Sequence, residues 1–519
     1  MKKLPIGIQN IQEIIEEGYV YIDKTSFAHH LITTGKHYFL SRPRRFGKSL
    51  FLDTLAEIFK GNKDLFKTYA IYQTDYDWKP YPVLSLSFSR IPCRTDEKLE
   101  QGLQRALKRI AKQHALAVDI HSAQEGLDAL VSELVDKYDR QVVILIDEYD
   151  KPITANLKHL EVANANRELL RDFFGTLKDL DHAIKFTFIT GISRFSKVSL
   201  FSEANHLKDV TMHPDYAAIA GYTEDELSQA FEEHIQAITR GRGVPENEIL
   251  AEIKAWYNGY RFSRAATCVY NPFSTLNYMD EKEPKGYWFA SGTPKFLIHE
   301  LQKQPQVATE FSGINIPETQ LSDSRSPEDL DLPALMFQTG YLTIKDWAWD
   351  ATLEETVFSL DFPNKEVYKA FFQSLLREFG KVAPQEISSM ALQLRAAMEA
   401  LDMSAVVQTL NIQLAKIPYD AFQHAKEGFY QAMLLLCFEI SGLKTFGEVH
   451  TNLGRIDLVV QLPKHTFIFE LKVDKKVAVA LDQLHNKRYQ ECYLKDGKEI
   501  VAAALCLSTK DHNISAWQA

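Results

Sequence analysis

Residues 37 to 59 run His37-Tyr38-Phe39-Leu40, then Ser41-Arg42-Pro43-Arg44-Arg45-Phe46-Gly47-Lys48-Ser49, then LFLDTLAEIF. A short apolar run, a basic turn and an amphipathic helix follow one another there. In a phosphate-binding loop, backbone amides and a helix N-terminus surround the phosphates. The lysine reaches the β/γ oxygens and the hydroxyl ligates Mg²⁺. Gly47, Lys48 and Ser49 fit those parts, and Arg44, Arg45 and Phe46 fill the loop before them. The first glycine of the usual spacing is replaced by Arg42, so a residue with a side chain is expected to take that turn.

The triplet alone is weak evidence; its surroundings carry the reading. From about 36 to 190, apolar runs (HYFL, PVLSLSF, VVILI, KFTFIT) alternate with amphipathic segments (LFLDTLAEIF, KLEQGLQRALKRIAKQ, NRELLRDFFGTL). That alternation predicts a parallel sheet covered by helices. The run Val142 to Ile146 ends in Asp147-Glu148-Tyr149-Asp150. An aspartate at the end of a buried strand can hold the Mg²⁺ shell, and the adjacent glutamate can polarise the attacking water. KFTFIT ends in Thr190, with Arg194 four residues on. This arrangement resembles the additional-strand NTPases, in which the strand after the acidic motif carries a polar sensor of the γ-phosphate; the resemblance implies that role for Thr190 and a place for KFTFIT between the strands carrying Lys48 and Asp147. Arg194 either reads the γ-phosphate, in cis or trans, or makes a helix-capping ion pair.

The chain has 519 residues, 45% hydrophobic and 25% charged, with a net charge of -10. That length predicts several domains, and the charge excludes a polybasic nucleic-acid coat while leaving room for a local basic groove. Cys93, Cys268, Cys437, Cys492 and Cys506 lie far apart with no CxxC pair, which argues against a zinc ribbon or a disulfide scaffold. No apolar run is long enough to span a bilayer. A cytoplasmic location without membrane association is expected.

The middle of the chain reads as mostly helical, opening with the capping-box spacing Thr223 to Glu226. The polar, proline-punctuated stretch 305–333 reads as a loop. The aromatic series Trp256, Tyr257, Tyr260, Phe262, Tyr270, Phe273, Tyr287, Trp288 and Phe289 could stack single-stranded nucleic acid. Core packing is the favoured reading.

Arg455 to Leu462 and Thr466 to Val473 form a hairpin about Pro463 to His465. The start of one strand lies beside the end of the other, so Asp457 should meet Glu470 and Lys472 on one face. Two carboxylates on one face can hold a divalent cation that activates water, with the lysine supporting the nucleophile or developing charge. Gln483 and Tyr489 follow on the next helix, and Glu427 precedes as a third acidic candidate. The competing reading is a surface cluster of ordinary ion pairs.

LPIGIQ, Tyr21 to Thr25, RPRRFGKSLFL, ILIDEYDKP, TGISRFSKVSLFSEAN, WYNGYRF, VYNPFS, YWFASGTP and QTGYLT together resemble the bacterial AAA-ATPase-like family. Its members typically carry a C-terminal PD-(D/E)XK nuclease domain, to whose core GRIDLVV and FIFELK are similar. The resemblance implies a nucleotide site at Lys48, Ser49, Asp147 and Glu148. It implies a nuclease core at Asp457, Glu470 and Lys472, with Gln483 accessory.

The expected architecture is α/β: an additional-strand, AAA-like P-loop NTPase domain (1–220), a mostly helical lid or winged-helix-like middle region (221–364), and a restriction-endonuclease-like α/β domain (365–519). ATP and Mg²⁺ are the expected cofactors. Nucleic acid, DNA before RNA, is the expected partner, and oligomerisation through the ATPase domain stays open. The rival reading is an ATP-switched signalling or scaffold protein whose nuclease-like domain only binds nucleic acid.

Overall fold

The computed structural model describes residues 1–194, 207–288, 313–322, 331–380, 384–416, 427–451 and 454–519. Half of ISRFSK (195–197) and all of SGTP lie outside the described residues, as does Phe289. The chain divides into two compact units, Met1–Phe296 with Ile314–Glu366, and Leu297–Gly313 with Val367–Ala519.

The first unit is built on five strands: β1 (His37–Ser41), β2 (Val83–Ser87), β3 (Val142–Asp147), β4 (Ile184–Gly191) and β5 (Lys208–Asp209). All pair in parallel, in the order β2-β3-β4-β1-β5. β4, which contains KFTFIT, separates the Lys48 strand from the Asp147 strand, as the resemblance to additional-strand NTPases implies. Val142 to Ile146 are all buried, because helices cover both faces of a parallel sheet. Helix Asp96–Gln113 turns Leu99, Leu103, Leu107 and Ile110 inward at helical spacing, and Thr95 caps it by accepting from the Lys98 amide. A separate helix, Ala123–Tyr138, precedes β3; the sequence reading did not resolve it.

The middle region packs helices Glu224–Ala230, Glu232–Arg242, Glu246–Tyr257 and Pro272–Glu281 around Phe231, Ile235, Ile253, Tyr257, Tyr270 and Tyr278. The capping box is formed: Thr223 accepts from the Glu226 amide and Glu226 from the Thr223 amide. Most of the aromatic series is core, with Tyr257, Tyr260 and Tyr270 fully buried. Beside the helices lies an antiparallel sheet of β6 (Ile314–Pro317), β7 (Thr343–Asp350) and β8 (Glu355–Asp361). Where a loop is expected over 305–333, the described residues form β6 and the helix Glu318–Ser322. Polar residues at alternate positions of a short strand on one side of a small sheet look like loop composition.

The second unit has helices Pro384–Glu399, Met403–Leu414 and Glu427–Ile440. Its mixed sheet comprises β9 (Lys444–Thr451), β10 (Gly454–Gln461), β11 (His465–Val473), β12 (Glu499–Ser508) and β13 (Asn513–Gln518). The β10–β11 hairpin pairs Leu458 with Phe469 and Val460 with Phe467. The turn closes with the Leu462 amide donating to the His465 carbonyl (2.8 Å), so His465 already belongs to β11. β12 runs parallel to β11 after the helix Val477–Asn486, which makes β11 a central strand. Among the described residues, no helix is long and apolar enough to cross a membrane.

Glu439, near the end of helix Glu427–Ile440, is buried and accepts from Tyr368 Oη and the Thr445 amide. Burial pushes its carboxyl up to about 7. A raised carboxyl contributes stability that is fully present below the unfolded pKa, about 4.3, and is lost as pH rises through the folded value. Melting this chain at pH 5 and pH 8 should therefore show a smaller fall for Glu439→Gln than for wild type.

Candidate functional site

The basic loop lies between β1 and the helix Lys48–Phe59. Its left-handed positions are Arg45 (φ 69°) and Gly47 (φ 90°). Arg42 takes no such turn. Its buried guanidinium donates to the carbonyls of Ser41 (2.9 Å), Thr211 (2.7 Å) and Tyr216 (3.2 Å) and stacks 4.3 Å over Phe262. The missing glycine is thus replaced by an anchoring side chain, and the turn passes to Arg45.

Lys48 is buried and donates to the carbonyls of Arg42 and Pro43, each at 2.9 Å. Burial lowers its pKa, opposed by the charges of Asp147, Asp150 and Glu148. Asp147 is held on both oxygens: Ser49 Oγ donates to Oδ2 (2.5 Å) and Thr190 Oγ1 to Oδ1 (2.6 Å). Glu148 sits at φ 55°, a sparsely populated region for a residue with a side chain. Burial first, and then Asp147, raises its pKa. Lys48, Ser49, Asp147 and Glu148 border a cavity of about 840 Å³ that also touches Arg44, Arg45, Gly47 and Lys151, with Ile8, Tyr222 and Phe273 among its apolar walls; Thr190 is buried behind Asp147 and does not line it.

Two residues expected at the nucleotide are engaged elsewhere. Phe46 is buried away from the cavity, with its ring edge-on to Tyr260 and Phe262 (centroids 4.8 and 5.5 Å). Arg194 pairs with Asp209 of β5 (2.8 Å) and approaches Met212 Sδ (3.3 Å). It does not border the cavity.

Two residues that the sequence reading assigned no role tie the site together. Asp150 is buried and accepts from the amides of Ile192 and Ser193 and from Ser193 Oγ (2.6 Å). Trp288 donates from Nε1 to the Arg44 carbonyl (3.1 Å) and from its amide to the buried Glu366 (2.7 Å). Asp150 is the last residue of the quoted acidic motif, a signal available in the sequence. The Trp288 contact spans 244 positions and leaves no local trace.

In the second unit, Asp457, Glu470 and Lys472 are all buried and meet on one face. Asp457 Oδ2 accepts from the Leu471 amide (2.7 Å). Lys472 Nζ donates to Glu470 Oε1 (2.6 Å) and to the Leu471 carbonyl (2.8 Å), and lies 3.8 Å from Asp457 Oδ2. Glu470 Oε2 is buried without a hydrogen-bond partner among the described residues. Burial, reinforced by Asp457, pushes the Glu470 carboxyl up, and burial does the same to Asp457. An orphaned carboxylate oxygen beside a second carboxylate fits a divalent cation, which would satisfy it and relieve the repulsion.

Gln483 does not join these three among the described residues. It donates to Tyr489 Oη (3.4 Å), which in turn donates to the Arg455 carbonyl (2.8 Å). Glu427 opens the helix Glu427–Ile440, and its side chain lies outside the described residues. One turn further on, Gln431 donates to the Asp457 carbonyl (2.5 Å). Its place four residues after Glu427, on the same helix face, was the available signal.

Residues 5–201 match the family described as "Predicted AAA-ATPase", and residues 425–517 match the PD-(D/E)XK nuclease superfamily. Over 507 residues, 96% of this chain and 95% of the relative, the sequence is 36% identical to "Uncharacterized protein in vnfD 5'region" of Azotobacter chroococcum mcd 1. No solved structure gives a significant match.

Because Phe46 packs rather than binds, Phe46→Ala should lower stability by about 3–5 kcal/mol in denaturant unfolding. Phe46→Leu, which keeps most of the apolar volume, should leave nucleotide affinity within about twofold of wild type.

Proposed function

The chain belongs to the AAA-ATPase-like family and carries a PD-(D/E)XK nuclease-superfamily domain over residues 425–517; from that premise we propose an ATP-regulated, Mg²⁺-dependent nuclease acting on DNA before RNA. The ATP half is supported above all by the double grip on Asp147, from a hydroxyl of the P-loop helix and a hydroxyl of β4. The cavity of about 840 Å³ supports it too, since its lining combines Lys48 with apolar side chains, Ile8, Tyr222 and Phe273, that suit a nucleobase.

At the nucleotide, Lys48 exchanges the Arg42 and Pro43 carbonyls for β/γ oxygens, a swap that keeps its ammonium hydrogen-bonded throughout. Ser49 and Asp147 would hold Mg²⁺, and Thr190 acts through Asp147, whose Oδ1 it holds in place. Glu148 orients the attacking water and accepts its proton at the carboxylate, and its raised pKa makes that transfer easier.

At the nuclease site Asp457 and Glu470 would hold Mg²⁺, which when bound supplies a Lewis acid for the scissile phosphate and acidifies a water. Lys472 keeps its ammonium between the two carboxylates, from where it can support the attacking oxygen or the charge developing on the phosphate. Gln431 and the Leu471 amide fix Asp457 from both sides. Nucleotide state regulates cleavage by favouring one arrangement of the nuclease cleft.

Lys48→Ala should abolish tight ATP binding, and Glu148→Gln should keep binding while stopping turnover, read by nucleotide titration and phosphate release. Plasmid and single-strand cleavage with Mg²⁺ or Mn²⁺ should vanish in Asp457→Ala and in Glu470→Ala without loss of fold. Lys472→Ala should be slowed with metal affinity spared, and Lys48→Ala should alter the ATP response. Wild type that binds nucleic acid but cuts neither substrate would instead support the scaffold reading.

A further inference from the structure

Residues 425–517 hold 12 Lys and Arg against 11 Asp and Glu, in a chain whose net charge is -10. The cations are not spread evenly over that stretch. Lys475 and Lys476 follow the end of β11, two residues beyond Lys472 and Val473, and both are exposed. Lys487 and Arg488 follow the helix Val477–Asn486 and are exposed as well. The end of β11 and the start of β10 lie at the same end of an antiparallel hairpin, so all of these surround the end of the sheet that carries Asp457 and Glu470.

A specific joint holds Lys487 there. Tyr489 is buried, and its Oη donates to the Arg455 carbonyl while accepting from Gln483. Gly454 lets the two segments approach: a Cβ there would stand 3.0 Å from Tyr489 Oη and 3.5 Å from the Lys487 side chain. The joint therefore fastens Lys487 beside the residues that lead into Asp457. Two of the neighbouring acidic groups are turned to other partners, while Asp482 is exposed on the helix Val477–Asn486. Asp474 accepts from the Thr509 amide and hydroxyl (2.9 and 2.6 Å), and Glu491 pairs with Arg488 (3.4 Å). Lys475, Lys476 and Lys487 make no ion pair with another described residue.

We infer that Lys475, Lys476 and Lys487 form a track for the phosphodiester backbone, which leads a nucleic-acid strand across the Asp457–Glu470 face. The ten-residue helix between the two ends of the track is about 15 Å long, at about 1.5 Å per residue. At about 3.4 Å of rise per nucleotide, that distance spans roughly four nucleotides. The track is thus suited to a polymer rather than to a mononucleotide. Gln483 and Tyr489 become the joint that sets its width, which accounts for Gln483 lying off the carboxylates. This inference rests on the nuclease reading and adds the substrate-contacting residues to it.

The test uses the full chain with Asp457→Ala, so that the substrate is not cut. Fluorescence anisotropy follows a labelled 20-nucleotide strand and a 20-base-pair duplex from 50 to 200 mM KCl. Replacing Lys475, Lys476 and Lys487 together by alanine should weaken binding at least tenfold and reduce the slope of log K against log salt by roughly 2–3 units, about 0.7 to 0.9 per lost contact. Lys464→Ala/Lys498→Ala, at the opposite end of the sheet, should bind like the parent, with matching melting temperatures in all variants. Unchanged affinity and slope in the triple variant, or an equal loss in the Lys464/Lys498 control, would overturn the track while the nuclease reading stands. Failure of the parent to bind either oligonucleotide would overturn both.

Discussion

Asp147 is the point on which the first unit turns. Its two oxygens accept from Ser49 on the P-loop helix and Thr190 on β4, so three elements distant in sequence converge on one carboxylate. A partly buried carboxylate with both oxygens hydrogen-bonded is fixed in position and has its polar atoms satisfied. With β4 between β1 and β3, Thr190 stands beside the end of β3 and meets Asp147, because β4 borders both strands. The arrangement requires β4 to end at a fixed depth. Tyr149 and Asp150 set that depth by binding residues 190–193, and Gly191 is where a Cβ would strike the Tyr149 ring at 2.4 Å.

The loop before Lys48 is held from its other side by aromatic packing. Phe46 lodges against Tyr260 and Phe262, Arg42 stacks on Phe262, and Trp288 reaches the Arg44 carbonyl. Gly340 allows Pro43 to approach so closely that a Cβ would meet it at 2.7 Å. A loop with a single glycine, Gly47, can then hold its shape because tertiary contacts fix it, where a glycine-richer loop would rely on backbone freedom. The same contacts tie the loop to Glu366. That carboxyl is buried, with one oxygen unpartnered, and burial pushes it up to about 7.

What the sequence made legible follows from the range of the signals. Strand and helix of the first unit could be read because parallel strands buried on both faces are uniformly apolar and their helices strictly periodic. The Asp457, Glu470 and Lys472 convergence could be read because a hairpin register is local arithmetic. Phe46 misled because a loop residue beside GKS gives no hint of whether it faces phosphate or core, and its partners lie more than 200 residues away. The partner of Arg194 was hidden for a related reason, as Asp209 comes from a strand of only two residues. The β12 and β13 strands, and with them the central position of β11, stayed hidden because nothing in the hairpin states that a further strand will add in parallel.

The second site shows why such a cluster cannot be an ordinary set of surface ion pairs. Lys472 is one cation for two carboxylates, and it bonds closely to Glu470 while standing farther from Asp457. Burial shifts both carboxyl groups upward, and the charge of Asp457 adds to the shift of Glu470. A structural role would be better served by a single pair, or by apolar residues of the same size, since breaking even is the best that most buried pairs achieve. The excess carboxylate and the Glu470 oxygen without a hydrogen-bond partner among the described residues suit a bound cation at the two acids. Strain of this sort is kept where it is used, and here it lies at the end of the sheet where an incoming phosphodiester would meet it.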